Sequence, residues 1–270
     1  MGTLSGHLLP GAAFTAAGLW HLLNTAASFR LSGPSTFSSR LWFPSPFLKH
    51  LELLLLLLLS LLAAALQLLS APSLVDLEHA TMFLHLAIYS ASALAADLLS
   101  SPSAIVGALA ASAFAQELLL LHFHSIDHSS LESHYHRLLE IVVTVCFIST
   151  ATTVGFPASY MAAVVRSAAV ALQGLWFIWT GVVLWGPVRL MPEGCSEEGV
   201  GVVACAAAGA AARAAAMANL QFSWMVAFVS VLTVVVCLLP GGKGVEYRRL
   251  CPAGGSSGDG DVVKMAHAPV

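Results

Sequence analysis

The sequence predicts an all-α fold: a polytopic membrane bundle of seven transmembrane helices, N-terminus out and C-terminus in. Three observations carry this. Charged residues are 9% of the chain, against about 25% in soluble domains. Hydrophobic residues are 58% of the 270 positions. Apolar runs near twenty residues recur along the chain, each long enough to cross about 30 Å of hydrocarbon at about 1.5 Å per residue.

Seven segments follow in order: about 4–28, 48–69, 77–99, 104–122, 137–156, 160–186 and 216–239. The second, LELLLLLLLSLLAAALQLL, and the seventh, NLQFSWMVAFVSVLTVVVCLL, are uninterrupted by charge beyond Glu52. Turn signals part the others: GPST at 33–36, SAPS at 70–73, SSPS at 100–103 and GFPAS at 155–159. The short connections after the third and fifth segments predict antiparallel helical hairpins. The first segment resembles a signal peptide in position, but it lacks Lys or Arg before its apolar core and carries His7, Pro10, Trp20 and His21 inside it, so it is read as a retained helix. The alanine-rich stretch 203–218 contains Arg213 and is read as run-in to the last span rather than an eighth.

Orientation follows from the basic residues. With seven spans, Arg30, Arg40, Lys49, Arg166, Lys243, Arg248, Arg249 and Lys264 lie inside, and Arg137, Arg189 and Arg213 outside, eight of the 11 against three. Arg166, near the start of the sixth span, is expected to snorkel to the inner face. Residues 1–240 then form the transmembrane domain, and the Gly/Ser-rich residues 241–270 a disordered cytosolic tail. Within that tail Cys251 is a site open to palmitoylation, although an ordinary free thiol is the plainer expectation. Cys195 and Cys205 share one loop and can pair if it faces an oxidising compartment. A formal charge of −3 offers no basic surface for nucleic acid. The lipid bilayer is the partner implied, with other membrane proteins as further candidates, and nothing separates plasma membrane from endomembrane.

One stretch stands apart. Residues 122–136, HFHSIDHSSLESHYH, hold five histidines (His122, His124, His128, His134, His136) with Asp127 and Glu132. Once the spans are threaded, more ionisable groups fall at the same outer level: Glu78, His79 and His85 on the third span, Glu117, His122 and His124 on the fourth, His136 and Glu140 on the fifth, and His7 on the first. By helical rise Glu117 lies about 7 Å below His122, and Glu140 about 6 Å below His136. Ionisable groups at such depth are costly and raise a functional question. Glu78, His79, His85, Glu117, His122, His124, His136 and Glu140 are of the types that bind zinc, iron or manganese, so a divalent metal is the cofactor they would accept. Two other uses of the layer compete: cross-helix hydrogen bonds that hold the bundle together, and a proton-responsive cluster. His128 and His134 are expected to be solvated, His50 and Glu52 to be interfacial anchors, and His21 to lie too deep to join the layer. Trp185 fits an aromatic belt, while Trp176 and Trp179 with Gln173 are expected to pack between helices.

Catalytic motifs are few: no HExxH or phosphate-binding glycine loop occurs. The sequence therefore leans away from an enzyme. It leaves three classes: a non-enzymatic structural, adaptor or trafficking protein; a metal-dependent membrane enzyme or metal-handling protein; and a pH-responsive or receptor-like protein.

The stretches GHLLPGAAFTAAGLWH (6–21), LEHATMFLHL (77–86), FHSIDHSSLESHYHRLLE (123–140), LQGLWFIWTG (172–181) and ANLQFSWM (218–225) resemble the transmembrane protein 45 family in its plant branch. The resemblance covers nearly all of the membrane part and leaves out the alanine-rich loop and the tail. It implies a multi-pass membrane protein without an established catalytic activity. It places His7, Pro10, Trp20, His21, Glu78, His79, His124, His136, Gln173, Trp176 and Gln221 in recurring motifs, without giving any of them a role.

Overall fold

A computed structural model describes residues 3–69, 73–101, 103–124, 130–186, 190–198 and 202–239. Seven helices alternate in direction: α1 (Leu4–Ser32), α2 (Leu51–Leu68), α3 (Leu74–Leu98), α4 (Ser103–His124), α5 (Ser130–Gly155), α6 (Tyr160–Trp185) and α7 (Ala208–Leu238). Six of them, α2 to α7, are long and apolar enough to cross a membrane. The chain is an integral membrane protein. By composition α1 is not among these six, since His7, His21, Asn24 and Arg30 dilute its apolar content. Residues 1–239 make one compact unit; the expected disorder of 241–270 lies outside the described residues.

Local chemistry explains the ends. Thr3 caps α1 by accepting from Gly6 N at 3.1 Å, and Ser73 and Asp76 form a capping box on α3. Ser159 caps α6 through Ala162 N. Two helices begin about two turns before their apolar segments. α5 starts at Ser130 rather than 137, which brings Glu132, His134 and His136 onto the helix, and α7 starts at Ala208 rather than 216. In both cases good helix formers, Leu and Glu in one and Ala in the other, extend the helix past its apolar core.

α1 lies along α6 in the closest helix pair of the bundle. Small residues make this possible: a Cβ on Gly174 would stand 2.5 Å from both Gly11 O and Thr15 Oγ1, and one on Gly18 would clash with the backbone of Ala171. Without a hydrophobic driving force inside lipid, such close approach is a main source of helix association. α5 packs on the other side of α6, then α4, α3 and α2 follow in turn, and α7 covers α5 and α6.

A two-stranded antiparallel hairpin, β1 (Cys195–Glu197) and β2 (Val203–Cys205), precedes α7. The all-α expectation did not include it. Cys195 and Cys205 form a disulfide, and Val203, fully buried, packs into the same core as Tyr135, Trp176 and Ala214.

At the opposite end, residues 33–50 form a strap fixed to several helices. Phe37 is buried against Phe29 and Tyr160, at 5.5 Å from each ring. Ser39 N donates to Pro157 O at 2.7 Å, and Tyr89 Oη to Leu41 O at 2.9 Å. Arg166 corrects its expected role: it does not snorkel but is 5% exposed. Its guanidinium donates to Thr153 Oγ1 at 3.0 Å and to the Arg40 carbonyl. The strap lies close enough to give a buried cation its partners, so the side chain need not reach water.

Candidate functional site

One end of the bundle brings together the starts of α1 and α5, the end of α6 and the Asn219–Gln221 part of α7. His7 sits one turn into α1 and meets α6 at Gly181, where an added Cβ would stand 2.7 Å from His7 Cβ. Its ring centroid is 4.7 Å from Trp185, 5.9 Å from Phe177 and 6.2 Å from His136. His7 and His136 are both buried, and Glu132, one turn before His136 on α5, is 2% exposed.

Beside this group a hydrogen-bonded node joins α5, α6 and α7. Gln221 Oε1 accepts from Tyr135 Oη at 2.9 Å and from Trp179 Nε1 at 3.1 Å. Trp176 Nε1 donates to Tyr135 O at 3.0 Å, and its ring stacks on Tyr135 with centroids 5.3 Å apart. One turn away, His134 Nε2 meets Asn219 Oδ1 at 2.8 Å. His134, expected to be solvated, is thus half-buried and cross-linked to α7, because α5 begins before it.

The residues singled out as metal ligands divide among smaller sets. His122 Nδ1 lies 3.5 Å from Glu140 Oε2, joining α4 to α5. Glu117 accepts from Gln173 Nε2 at 2.7 Å, joining α4 to α6. On α3, His79 donates to Val75 O at 2.8 Å and His85 to Thr81 O at 2.9 Å, each within its own helix. Glu78 lies on α3 a residue before His79. His124 ends α4, but its side chain and the whole of His128 lie outside the described residues. Among the described residues no three His, Cys, Asp or Glu side chains gather in a group that could hold a metal ion.

A second polar focus lies at the other end of the bundle, where sequence reasoning makes His50 and Glu52 interfacial anchors only and does not join them to His21 or Asp97. Glu52 accepts from Trp20 Nε1 at 2.9 Å, from Phe43 N at 2.9 Å and, at its other oxygen, pairs with His21 Nε2 at 2.7 Å. Nearby Asp97 meets Lys49 at 2.5 Å and His50 at 2.7 Å. The signal was present in the charges, since Glu52 is the one acidic residue in a leucine-rich helix. Its partners come from α1 and the strap, and no periodicity within α2 could name them.

Most polar groups in both foci have partners on other elements. The geometry supplies cross-links between helices that are hydrophobic almost all round.

Comparison with known proteins adds a family. The model of a family of unknown function, DUF716, matches residues 103–238, from the start of α4 to the end of α7. No curated protein matches the chain.

Proposed function

The chain belongs to DUF716, a family of unknown function, and we propose that it serves as a non-enzymatic membrane scaffold in a structural, adaptor or trafficking role. The observation that carries this is the set of cross-helix bonds among α4, α5, α6 and α7: His122 to Glu140, Glu117 to Gln173, His134 to Asn219, and the Tyr135–Gln221–Trp179 node. In hydrocarbon such bonds contribute about 0.6 kcal/mol each on average, up to about 1.7. Several together fix the azimuth of α4 to α7, which apolar surfaces leave free. The experiment is elemental analysis of the purified protein beside a His124→Ala/His136→Ala variant. A structural layer leaves the wild type without stoichiometric metal, and metal lost on mutation would favour the metal-handling alternative instead.

The likeness to the transmembrane protein 45 family and its plant branch belongs to the same proposal, resting on the five stretches quoted above. So does a seven-span topology with the N-terminus out. α1 has 29 residues and packs along α6, which supports a seventh span. The Cys195–Cys205 disulfide sits at the end where α1 begins, and disulfides persist in oxidising compartments. That agrees with the eight-to-three bias of the 11 basic residues. A glycosylation acceptor placed between β1 and β2 should be modified in cells; modification only of an acceptor in the 33–50 strap would reverse the orientation.

A further inference from the structure

The seam between α5 and α6 carries an open groove of about 380 Å³, within the range of small-molecule sites. Its walls are the exposed side chains of Val145 and Ile148 on α5 and of Met161 and Val165 on α6. Ser149, Thr152 and Ala162 make the floor, and their small size leaves the hollow between the larger flanks. Ser149 Oγ donates to Val145 O at 2.6 Å, and Thr152 Oγ1 to Ile148 O at 2.7 Å. With both hydroxyl protons bound to their own helix, the floor asks for no polar partner. From Thr152 to Val145 the groove rises about 10 Å along α5, into the apolar body of two spans. An apolar hollow that opens sideways into hydrocarbon takes an acyl chain, since a water-soluble ligand would have to cross lipid to reach it.

At its mouth the groove reaches Ser159, the cap of α6, beside the α5–α6 turn. The strap is fastened to that same turn. Ser39 N donates to Pro157 O at 2.7 Å, and Arg166 joins the Arg40 carbonyl to Thr153 Oγ1. Pro157 and Ser159 are two residues apart, at most about 7 Å by chain length, a gap that one arginine side chain spans. Arg40 is exposed, while its main chain is held by these two bonds. A phosphate at the mouth thus meets a guanidinium on a fixed base, and the two pair through parallel charged hydrogen bonds. The other cations of this end are engaged elsewhere: Lys49 with Asp97, and Arg30 with Val236 O at 3.2 Å.

We propose that the α5–α6 groove binds one acyl chain of an anionic phospholipid, whose phosphate is held by Arg40 of the strap. Charge complementarity selects the lipid. A phosphatidylcholine headgroup sets a trimethylammonium beside the same guanidinium, whereas phosphatidylglycerol brings negative charge alone. The site is separate from the polar bonds among α4 to α7 and stands whichever way the chain is oriented.

The test is native mass spectrometry of the full chain in a non-ionic detergent, mixed with phosphatidylglycerol or phosphatidylcholine at equal concentration. One phosphatidylglycerol should stay bound per chain under conditions that strip phosphatidylcholine. Arg40→Gln should lower that preference about fivefold, the worth of one basic residue at an anionic surface, and Arg40→Lys should restore part of it. Lys49→Gln removes the same charge from the strap where it meets α3 and should leave the preference unchanged. Ala162→Phe fills the floor and should abolish retention of both lipids. Val165→Trp narrows the groove from its exposed wall and keeps the test open should Ala162→Phe fail to fold, with circular dichroism of each variant as the check. Equal retention of the two lipids, wild-type behaviour of Arg40→Gln, or an equal loss in Lys49→Gln overturns the proposal. So does displacement of the lipid by inorganic phosphate, which would make the mouth a plain anion site. A lipid-free dimer that separates in Val165→Trp would also overturn it and give the groove to a second copy of the chain.

Discussion

Replacing Gly174 with valine is expected to destabilise the protein by about 3 kcal/mol or more, at the upper end of the range for overpacked cores. The new Cβ would meet Thr15 N, with Gly11 O and Thr15 Oγ1 at 2.5 Å. Two of these three atoms belong to backbone held in α1, so the clash is relieved only by pushing the helices apart. That separation would strip contacts along the α1–α6 seam and pull His7 away from Trp185 and His136. Thermal unfolding in detergent measures it. Gly155→Ala is the control: the last residue of α5 has nothing within 4 Å of its added Cβ and should change the midpoint little.

The second large effect is expected at Glu52→Ala. Trp20 Nε1, His21 Nε2 and Phe43 N would all lose their acceptor. A buried polar group left unsatisfied costs about 1–3 kcal/mol. The Glu52 and His21 side chains are 17% and 15% exposed, so water offsets part of that, and a total of about 2–4 kcal/mol is expected. Glu52→Gln keeps one carbonyl acceptor and should lose about half as much. The local readout is limited trypsin digestion: cleavage after Arg40 and Lys49 should speed up in Glu52→Ala, because Phe43 N and the α1 side chains no longer hold the strap. Unchanged cleavage would show that Arg166 and Tyr89 suffice to hold it.

What the sequence disclosed, and what it hid, divides along a physical line. Length and hydropathy place helix ends along the chain, so the seven helices were legible, and with them the common level of His122 and Glu140. The His122–Glu140 approach follows from depth alone, given that α4 and α5 are neighbours. Azimuth was not legible. A helix that is apolar all round carries no amphipathic stripe to say which face meets which neighbour, so the partners of Glu52, Gln221 and Arg166 could not be named. Gln173, Trp176 and Trp179 were expected to pack between helices, but Gln221 entered only through a family resemblance, and it is the acceptor that joins α5, α6 and α7. The small hairpin was hidden for another reason. Its strands are three residues each, and they are held by a disulfide and by Val203 packing on α5 and α7 rather than by an alternating pattern.

The α1–α6 seam lies between these cases. Gly11 and Gly18 are seven apart, as are Gly174 and Gly181, which puts each pair on one helix face. Paired glycine spacing of this kind signals close packing, but it does not say which two helices meet.

The most direct test of the structural role of the His/Glu layer is thermal unfolding of the detergent-purified protein with and without a strong metal chelator, with elemental analysis of the same sample. If cross-helix hydrogen bonds hold α4 to α7, metal is sub-stoichiometric and the chelator leaves the midpoint unchanged. Zinc, iron or manganese near one per chain, with a midpoint that falls on chelation, would contradict it and make HFHSIDHSSLESHYH part of a metal site.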